Sequence, residues 1–206
     1  RAACGWLPGA ALAVVVSVTP FGDGVAKAPG DMHCYGGICH RVLTLAEAQR
    51  LIGLTSEVVT SHYDHPNVDR FNVGKYTSSG EEFDADNAAR AASANLPDGT
   101  EILLWHPGTW KAAHVRINDF GPFRGNRTLD VTRAVAEVLG FARAGVATLK
   151  VTVIWVPGPD TARYRRARNY VPSQGPIGFI TPGEHDALIR QLVMTAAERN
   201  FVAPPD

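Results

Sequence analysis

The sequence has no excess charge of either sign, because its 20 lysine and arginine residues are balanced by 20 aspartate and glutamate residues. Proteins that bind nucleic acid or an anionic membrane mainly through charge carry a clear excess of basic residues. The zero balance therefore gives no reason to expect either partner. Disorder is also excluded, since 45% of the residues are hydrophobic and only 19% are charged. The length of 206 residues suits one domain with a sizeable core.

The sequence also lacks a hydrophobic run long enough to span a membrane. The apolar stretch at 10–18 is much shorter than the roughly 20 residues that a transmembrane helix needs. It is followed at 26–28 by Ala-Lys-Ala, which has the small-x-small form of a cleavage site, so we predict a secretory signal over 1–28. Because Pro29 suits such a site poorly, a cut elsewhere between Gly22 and Ala28 stays open. The alternative is a buried apolar strand. Because Cys4 precedes the apolar run, we expect a periplasmic or envelope-associated protein without a clear lipid anchor.

Cysteine is scarce, with three residues in the chain. If Cys4 leaves with the signal, Cys34 and Cys39 remain, and a close pair in an exported protein is typical of a disulfide that closes a short loop. The flanking His33 and His40 leave zinc as the alternative, because cysteine and histidine both bind zinc. Structural zinc sites usually use a second ligand pair, and no second cysteine pair is present. We therefore predict a disulfide, no metal and no other cofactor.

The middle of the chain alternates short apolar, β-branched segments with turn residues, a pattern typical of a small β-barrel with helical insertions. The predicted strands cover 57–63, 101–105, 110–118 and 148–156. An alanine-rich segment at 87–94 predicts a short helix. A second helix is predicted within 42–53, where Thr44 and Glu47 have capping-box spacing. A third is predicted to end at Gly140, with Asp130 or Thr132 as its cap.

The composition changes beyond Pro157, where an arginine cluster at 163–168 is interpreted as a solvated face. Thr181 and Glu184 then form a predicted capping box that opens a helix with one apolar face. This face is predicted to pack back on the barrel; the alternative is docking of an envelope protein. The predicted organisation is a signal at 1–28, an N-terminal extension at 29–55, a barrel at 56–157 and a C-terminal extension at 158–206.

The segment 115–123, V-R-I-N-D-F-G-P-F, carries the strongest functional signal. An alternating strand leads to Asp119 and a Gly-Pro turn follows at once, so the carboxylate is predicted at a strand end, where side chains face ligands. A second acidic turn at 77–81 ends in Glu81. Two carboxylates on loops of one β-rich domain indicate acid–base chemistry on a neutral polymer such as a glycan. The structural alternative is that Asp119 holds a turn through backbone amides and Glu81 is solvated.

Four motifs together resemble the rare lipoprotein A (RlpA) family, whose pattern reads T-A-S-G-E, A-A-H-x-x-L-P-x-G-T, V-x-V-N-D-R-G-P-F, and D-L-S with L-G. The matching segments, in the same order and at similar spacing, are 77–81, 96–100, 115–123, and 129–132 with 139–140. The resemblance covers about 57–156 and implies a mainly β fold, a six-stranded double-psi β-barrel. It also implies an exported lytic transglycosylase that cleaves peptidoglycan between N-acetylmuramic acid and N-acetylglucosamine and leaves 1,6-anhydro ends. Expansin-type proteins share the barrel, so a non-catalytic, wall-loosening module that binds polysaccharide is the alternative.

The resemblance also implies roles for particular residues. In this reaction the muramoyl 6-hydroxyl is the nucleophile, so one carboxyl can act first as acid and then as base. Asp119 is predicted to fill that role, with Glu81 beside it to raise its pKa or to stabilise positive charge on the sugar.

The chain leaves the family pattern at two positions, since Ser93 stands where the family has histidine and Phe120 where it has arginine. Ser93 and Phe120, together with Tyr63 and Phe123, are predicted to contact the sugar through a hydroxyl group or aromatic rings. His62 and His65 lie near the start of the polar segment 64–74 and are candidates to replace the missing histidine. Together with Asp64 and Asp69 they are also candidates to bind a metal, although loop histidines are usually unliganded.

Overall fold

The computed structural model describes residues 26–35, 37–65, 67–69, 74–125, 127–171 and 175–199. Most of the predicted signal segment therefore lies outside the described residues. The elements are β1 (Met32–Tyr35), β2 (Ile38–Arg41), α1 (Leu45–Gln49), β3 (Thr55–Tyr63), β4 (Arg90–Ser93), β5 (Glu101–His106), β6 (Lys111–Asp119), β7 (Leu129–Thr132), α2 (Arg133–Leu139), β8 (Val146–Trp155), α3 (Pro159–Ala162), β9 (Gly175–Phe179) and α4 (Pro182–Arg199).

Six strands close into a barrel in the order β4-β7-β3-β8-β5-β6, because β6 pairs back onto β4. The β3–β7 and β4–β6 pairs are parallel and the others are antiparallel. Apolar side chains that alternate along the strands fill the interior, including the fully buried Ile102, Leu104, Val115 and Ile117. Strand β9 adds to the outer edge of β6. The predicted six-stranded barrel is confirmed.

The predicted helix at 87–94 is wrong, because residues Arg90–Ser93 form strand β4. All four residues of this strand are buried between β6 and β7, and this tertiary environment outweighs the helix propensity of alanine. The predicted helix that follows is α2. Its cap is Thr132, whose hydroxyl accepts a hydrogen bond from the Val135 amide, and it ends at Gly140 with a positive φ of 84°. Asp130 is therefore not a cap but a residue of β7.

The N-terminal extension consists of a hairpin and a short helix. Strands β1 and β2 pair in register, and the disulfide predicted between Cys34 and Cys39 joins them directly across the hairpin. Helix α1 begins with the predicted capping box of Thr44 and Glu47 but is shorter than the predicted span. The disulfide therefore fixes a small sheet that lies outside the barrel.

Helix α4 packs on the outer face of the barrel, as predicted. At its start only the Glu184 half of the predicted capping box is present, since the Glu184 carboxylate accepts hydrogen bonds from the backbone amide and the hydroxyl of Thr181 (2.9 and 2.6 Å) while the Glu184 amide donates to the Thr181 carbonyl. Its apolar face and the barrel residues that it meets form one cluster: Leu103, Trp105, Ala112, Ile154, Ile189, Leu192 and Ala196. Near the end of the helix Arg199 donates two hydrogen bonds to the buried Glu101 carboxylate (2.8 and 3.1 Å). Among the described residues, no helix combines the length and apolarity needed to cross a membrane.

Candidate active site

Four neighbouring strands bring a row of side chains to one groove. Ala92 on β4 is in register with Asp119 on β6 and with Asp130 on β7, and Asp130 is in register with Ser61 on β3. All four line the same groove, which has a volume of about 550 Å³. Because strands lie about 4.8 Å apart, the two aspartate Cα atoms are about 10 Å apart. Between the two aspartates in this row, Ala92 contributes only a methyl group to the lining of the groove.

Asp119 occupies the strand end that the sequence predicts. Its Oδ1 atom accepts hydrogen bonds from the backbone amides of Ser78 (2.9 Å) and Phe120 (2.8 Å), so the structural role considered for it is also present. Burial raises the pKa of Asp119 to about 6, although these two amides act in the opposite direction. Asp98 also raises this pKa and Lys27 lowers it. Asp119 therefore keeps its proton to a higher pH than an ordinary aspartate does, with a midpoint at about pH 6.

Asp130 is a groove residue that sequence reasoning missed as a site residue. Burial raises the pKa of Asp130 to about 7, against the opposing effects of the Ser61 hydroxyl and of Arg127. The negative charge of Asp119 contributes to the rise. The signal that could have found Asp130 is alternation, because Leu129 and Val131 are both in the core and the residue between them must face the other way.

Glu81 lies elsewhere than predicted, and it is not among the described residues that line the groove. Its buried carboxylate accepts two hydrogen bonds from Arg90 (2.8 and 2.9 Å) and one from Asn118 (2.8 Å). A guanidinium neutralises it, so the predicted pairing of Glu81 with Asp119 in one groove is not supported. Instead it fixes the turn whose Ser78 amide holds Asp119, and it also fixes the residue that precedes Asp119.

The same turn is packed tightly against the C-terminal extension. Gly80 has a positive φ of 93°, and a Cβ atom there would lie far inside van der Waals contact with the carbonyl group of Arg165. The Arg165 amide donates to the Ser79 carbonyl and the Arg168 amide to the Gly80 carbonyl, both at 3.1 Å. Glycine is therefore required at position 80, and the arginine cluster acts here through its backbone.

Ser93 also lies elsewhere than predicted. It is buried, and its hydroxyl accepts hydrogen bonds from the amides of Asn95 (3.3 Å) and Leu96 (3.0 Å) while donating to the carbonyl of Thr128 (3.2 Å). Its neighbour Ala92 lines the groove instead. The predicted sugar contact of Ser93 is therefore not supported, because this side chain holds a turn.

Phe120, Phe123 and Tyr35 form an aromatic wall of the groove. Tyr63, Phe120 and Phe123 all line it, although their predicted contact with sugar remains a prediction. The Phe120 and Phe123 rings meet edge to face with centroids 4.6 Å apart. The N-terminal hairpin contacts both rings, through His33 on Phe120 (4.8 Å) and Tyr35 on Phe123 (5.2 Å). Tyr35 also lines the groove and is 54% exposed, so the disulfide-closed hairpin extends the aromatic wall.

The histidines considered as replacements or metal ligands have separate partners. The His62 ring nitrogen Nε2 lies 3.0 Å from the Ala142 carbonyl. His65 lies instead near the exposed Asp84 and Asp86, where the three potential ligand atoms come within 4.8 Å of one another. Asp86 is also paired with Arg133, which compensates its charge.

The barrel region of the chain is similar to known proteins. The sequence profile of a family described as lytic transglycolase matches residues 55–151, which include five of the six barrel strands in full and β8 as far as Val151. The chain is 44% identical over 85 residues to a protein of Neisseria meningitidis serogroup A named endolytic peptidoglycan transglycosylase RlpA, covering 41% of this chain and 35% of that protein. It is 39% identical over 107 residues to a probable endolytic peptidoglycan transglycosylase RlpA of Treponema pallidum, covering 52% and 33%. The chain therefore spans about a third of the length of these relatives. A solved structure, the Streptomyces papain inhibitor, aligns at 16% identity with a TM-score of 0.40, covering 50% of this chain and 97% of that one.

Proposed function

We propose that this chain, whose residues 55–151 are an RlpA-like double-psi β-barrel of the lytic transglycolase family, cleaves peptidoglycan strands between N-acetylmuramic acid and N-acetylglucosamine. The observation that carries the proposal is the row in which Asp119 and Asp130 flank Ala92 in one groove. The space between the two carboxyl groups suits a sugar ring, and the aromatic wall offers apolar faces for further rings.

The first step is protonation of the leaving oxygen. The pKa of Asp119 is about 6 and that of Asp130 is about 7, so between these two pH values the two carboxyl groups together hold close to one proton, mostly on Asp130. The reactive form is the minority form in which Asp130 is ionised and Asp119 carries the proton. We assign this proton to Oδ2 of Asp119, because two amides orient this carboxyl group through Oδ1. Asp119 donates this proton to the glycosidic oxygen as the bond to C1 breaks. The N-acetylglucosamine part leaves as an alcohol and positive charge develops at C1.

The second step closes the anhydro ring. The Asp119 carboxylate takes the proton of the muramoyl 6-hydroxyl while that oxygen bonds to C1, so Asp119 is protonated again and no water is consumed. Asp130, on the far side of Ala92, is proposed to stabilise the positive charge at C1 as a carboxylate. Glu81 assists from behind the groove by holding the turn and Asn118 in place.

The test is to incubate the purified chain with peptide-free glycan strands in ¹⁸O-labelled water and to analyse the products by mass spectrometry. We expect 1,6-anhydromuramoyl ends that carry no ¹⁸O, because the nucleophile is the sugar's own hydroxyl. Reducing ends that carry ¹⁸O would show hydrolysis and refute the transglycosylase assignment. Retained binding to glycan without any new ends would instead favour the expansin-like binding module.

We also propose that the chain works outside the cytoplasm, at the cell envelope. Peptidoglycan lies there, and a disulfide such as Cys34–Cys39 persists in oxidising compartments. The predicted signal supports export and remains a prediction. The alternative of an envelope protein docked on the apolar face of α4 is not favoured, because this face contacts the barrel. We therefore propose glycan strands as the partner.

The aromatic wall gives a prediction for binding. Tyr35→Ala is expected to raise KM for glycan strands about 10-fold with little change in kcat, because stacking on a ring distant from the reacting bond stabilises substrate and transition state alike. Steady-state kinetics on strands of several lengths measures this effect. Met32→Ala is the matched control, since Met32 is exposed on the same hairpin and is not among the groove-lining residues described. A fall in kcat at constant KM would contradict the platform role of Tyr35.

A further inference from the structure

A buried lysine lies directly behind Asp119. Lys27 is 1% exposed, and its ammonium group contacts the Asp98 carboxylate (2.8 Å) and the backbone carbonyls of Asp119 (2.9 Å) and Ser93 (3.1 Å). These three contacts match the three N–H groups that an ammonium can donate. A buried charge with a full set of partners is part of a folded domain, although the sequence pattern had placed position 27 in the predicted signal.

The segment that carries Lys27 is also fixed by its backbone. The Gly30 amide donates to the Val42 carbonyl (3.1 Å), and the Val42 amide donates to the Asp31 carbonyl (2.9 Å). These bonds tie residues 26–31 to the chain that leaves the hairpin. The position of the ammonium is therefore set from both sides, by the backbone of its own segment and by the three acceptors around it.

Lys27 reaches Asp119 along two routes. The first is direct, through the hydrogen bond to the Asp119 carbonyl. The second passes through Asp98, which accepts a hydrogen bond from the Ser78 hydroxyl (2.7 Å), while the amide of Ser78 donates to Oδ1 of Asp119. One ammonium thus holds both the strand end and the turn amide that orients the Asp119 carboxyl group.

We propose that Lys27 is a positioning residue for Asp119, and that the mature chain therefore begins at or before residue 27. Cleavage after Ala28 would remove the ammonium and leave the buried Asp98 carboxylate without its counter-charge, which is strongly unfavourable. The acid–base role of Asp119 rests on the proposed function. The contacts of Lys27 are independent of it. The folded domain therefore includes Lys27, which lies inside the small-x-small pattern at 26–28.

The charges around Asp119 make the role of Lys27 measurable. Asp98 raises the pKa of Asp119 and Lys27 lowers it, while Asp130 faces the same groove from β7. Two further titratable groups face this cluster, Tyr63 from β3 and His33 from β1. Removing Lys27 and removing Asp98 should therefore move the titration of Asp119 in opposite directions. If Lys27 and Asp98 only supported the fold, the two substitutions would not shift the pKa of Asp119 in opposite directions.

The first experiment follows the Asp119 carboxyl group by ¹³C NMR in the full chain, with Lys27→Met and Asp98→Asn as the variants. We expect a wild-type midpoint at about pH 6, an upward shift in Lys27→Met and a downward shift in Asp98→Asn, each of about one pH unit. Unchanged midpoints in the folded variants would overturn the proposal. If Lys27→Met does not fold, the decision rests on Asp98→Asn and on the double variant described next.

The double variant Lys27→Met/Asp98→Asn removes the buried ion pair as a unit and leaves no unpaired charge. We expect kcat on peptide-free glycan to fall about 10-fold with little change in KM, because the Asp119 backbone loses its donor. A folded double variant with wild-type kcat would overturn the positioning role. If the wild type itself cleaves no glycan, the proposed function fails, and the NMR midpoints still decide the role of Lys27.

The start of the mature chain is tested by intact mass spectrometry of the protein recovered from the envelope of cells that produce it. We expect an N-terminus at or before residue 27. A mature chain that begins after residue 27 and still shows the wild-type Asp119 midpoint would overturn the inference.

Discussion

Replacing Asp119 with asparagine is expected to lower the rate of anhydro-end formation about 10³-fold, the range that a general acid–base contributes. Asparagine keeps an Oδ1 atom that can accept the two amide hydrogen bonds from Ser78 and Phe120, so the loop geometry is preserved. It cannot carry a proton to the glycosidic oxygen or take one from the 6-hydroxyl. Release of anhydro ends from peptide-free glycan, followed by mass spectrometry, measures the loss.

The free energy of unfolding of Asp119→Asn, measured at two pH values, tests whether its loss of activity comes from unfolding. The pKa of Asp119 is higher in the folded state than in an unfolded chain, so the folded state binds more protons between about pH 4 and pH 6. Wild-type stability therefore falls as the pH rises through this window. The asparagine variant has no carboxyl group to ionise, so we expect it to be more stable than the wild type at pH 8 by ~1–3 kcal/mol, a gain that disappears at pH 4.

Two further variants test the assignment of Asp119 as the acid–base. Asp130→Asn is expected to reduce activity by a smaller factor, about 10²-fold, because it removes charge stabilisation and not the proton carrier. Asp160→Asn changes an exposed carboxylate and should leave activity unchanged. An active Asp119→Asn variant would remove our assignment. Equal losses at 119 and 130 would show that the two carboxyl groups act as a unit.

Local pattern was enough to place Asp119, because alternation of Val115 and Ile117 defines a strand and a Gly-Pro turn ends it. The Cys34–Cys39 disulfide was also predictable, from the short spacing of the two cysteines and from the oxidising compartment expected for an exported protein. Arg90–Ser93 could not be placed in this way, since their strand forms only when β6 and β7 enclose the alanines from both sides. Local propensity favoured a helix there, and the tertiary environment decided otherwise.

The surroundings of the candidate site depend on contacts between residues distant in sequence. Glu81 looked like a free turn carboxylate, because nothing in the turn reveals Arg90 from β4 as its partner. Lys27 looked like part of a signal, and its partners Asp98 and Asp119 are more than 70 positions away, as the sequence numbering shows. Charge pairing across a barrel is set by register, and a single sequence does not state register.

The buried pair of Glu81 and Arg90 is expected to dominate the stability of the site. Glu81→Leu leaves the buried Arg90 guanidinium without its carboxylate, and Arg90→Met leaves the carboxylate without its cation, so each change should cost about 3–5 kcal/mol in the free energy of unfolding. The double variant Glu81→Leu/Arg90→Met should recover much of this loss, because no buried charge remains unpaired. Recovery stays incomplete, since Asn118 and the Tyr170 amide also lose their acceptor. Urea unfolding of the four proteins measures the cycle.

The same double variant decides what Glu81 does for catalysis. Its carboxylate is not among the described residues that line the groove, so we infer that it acts by holding the turn at 77–81 and Asn118, next to Asp119. A double variant that folds should then keep kcat within about 10-fold of the wild type, because packing replaces the ion pair as the support of the turn. A stable double variant that lost activity as fully as Asp119→Asn would return Glu81 to the catalytic role that its motif predicts. A single substitution at Glu81 lowers stability and disturbs activity at once. The structural and the catalytic role are therefore separated only by measuring both the free energy of unfolding and kcat of the double variant.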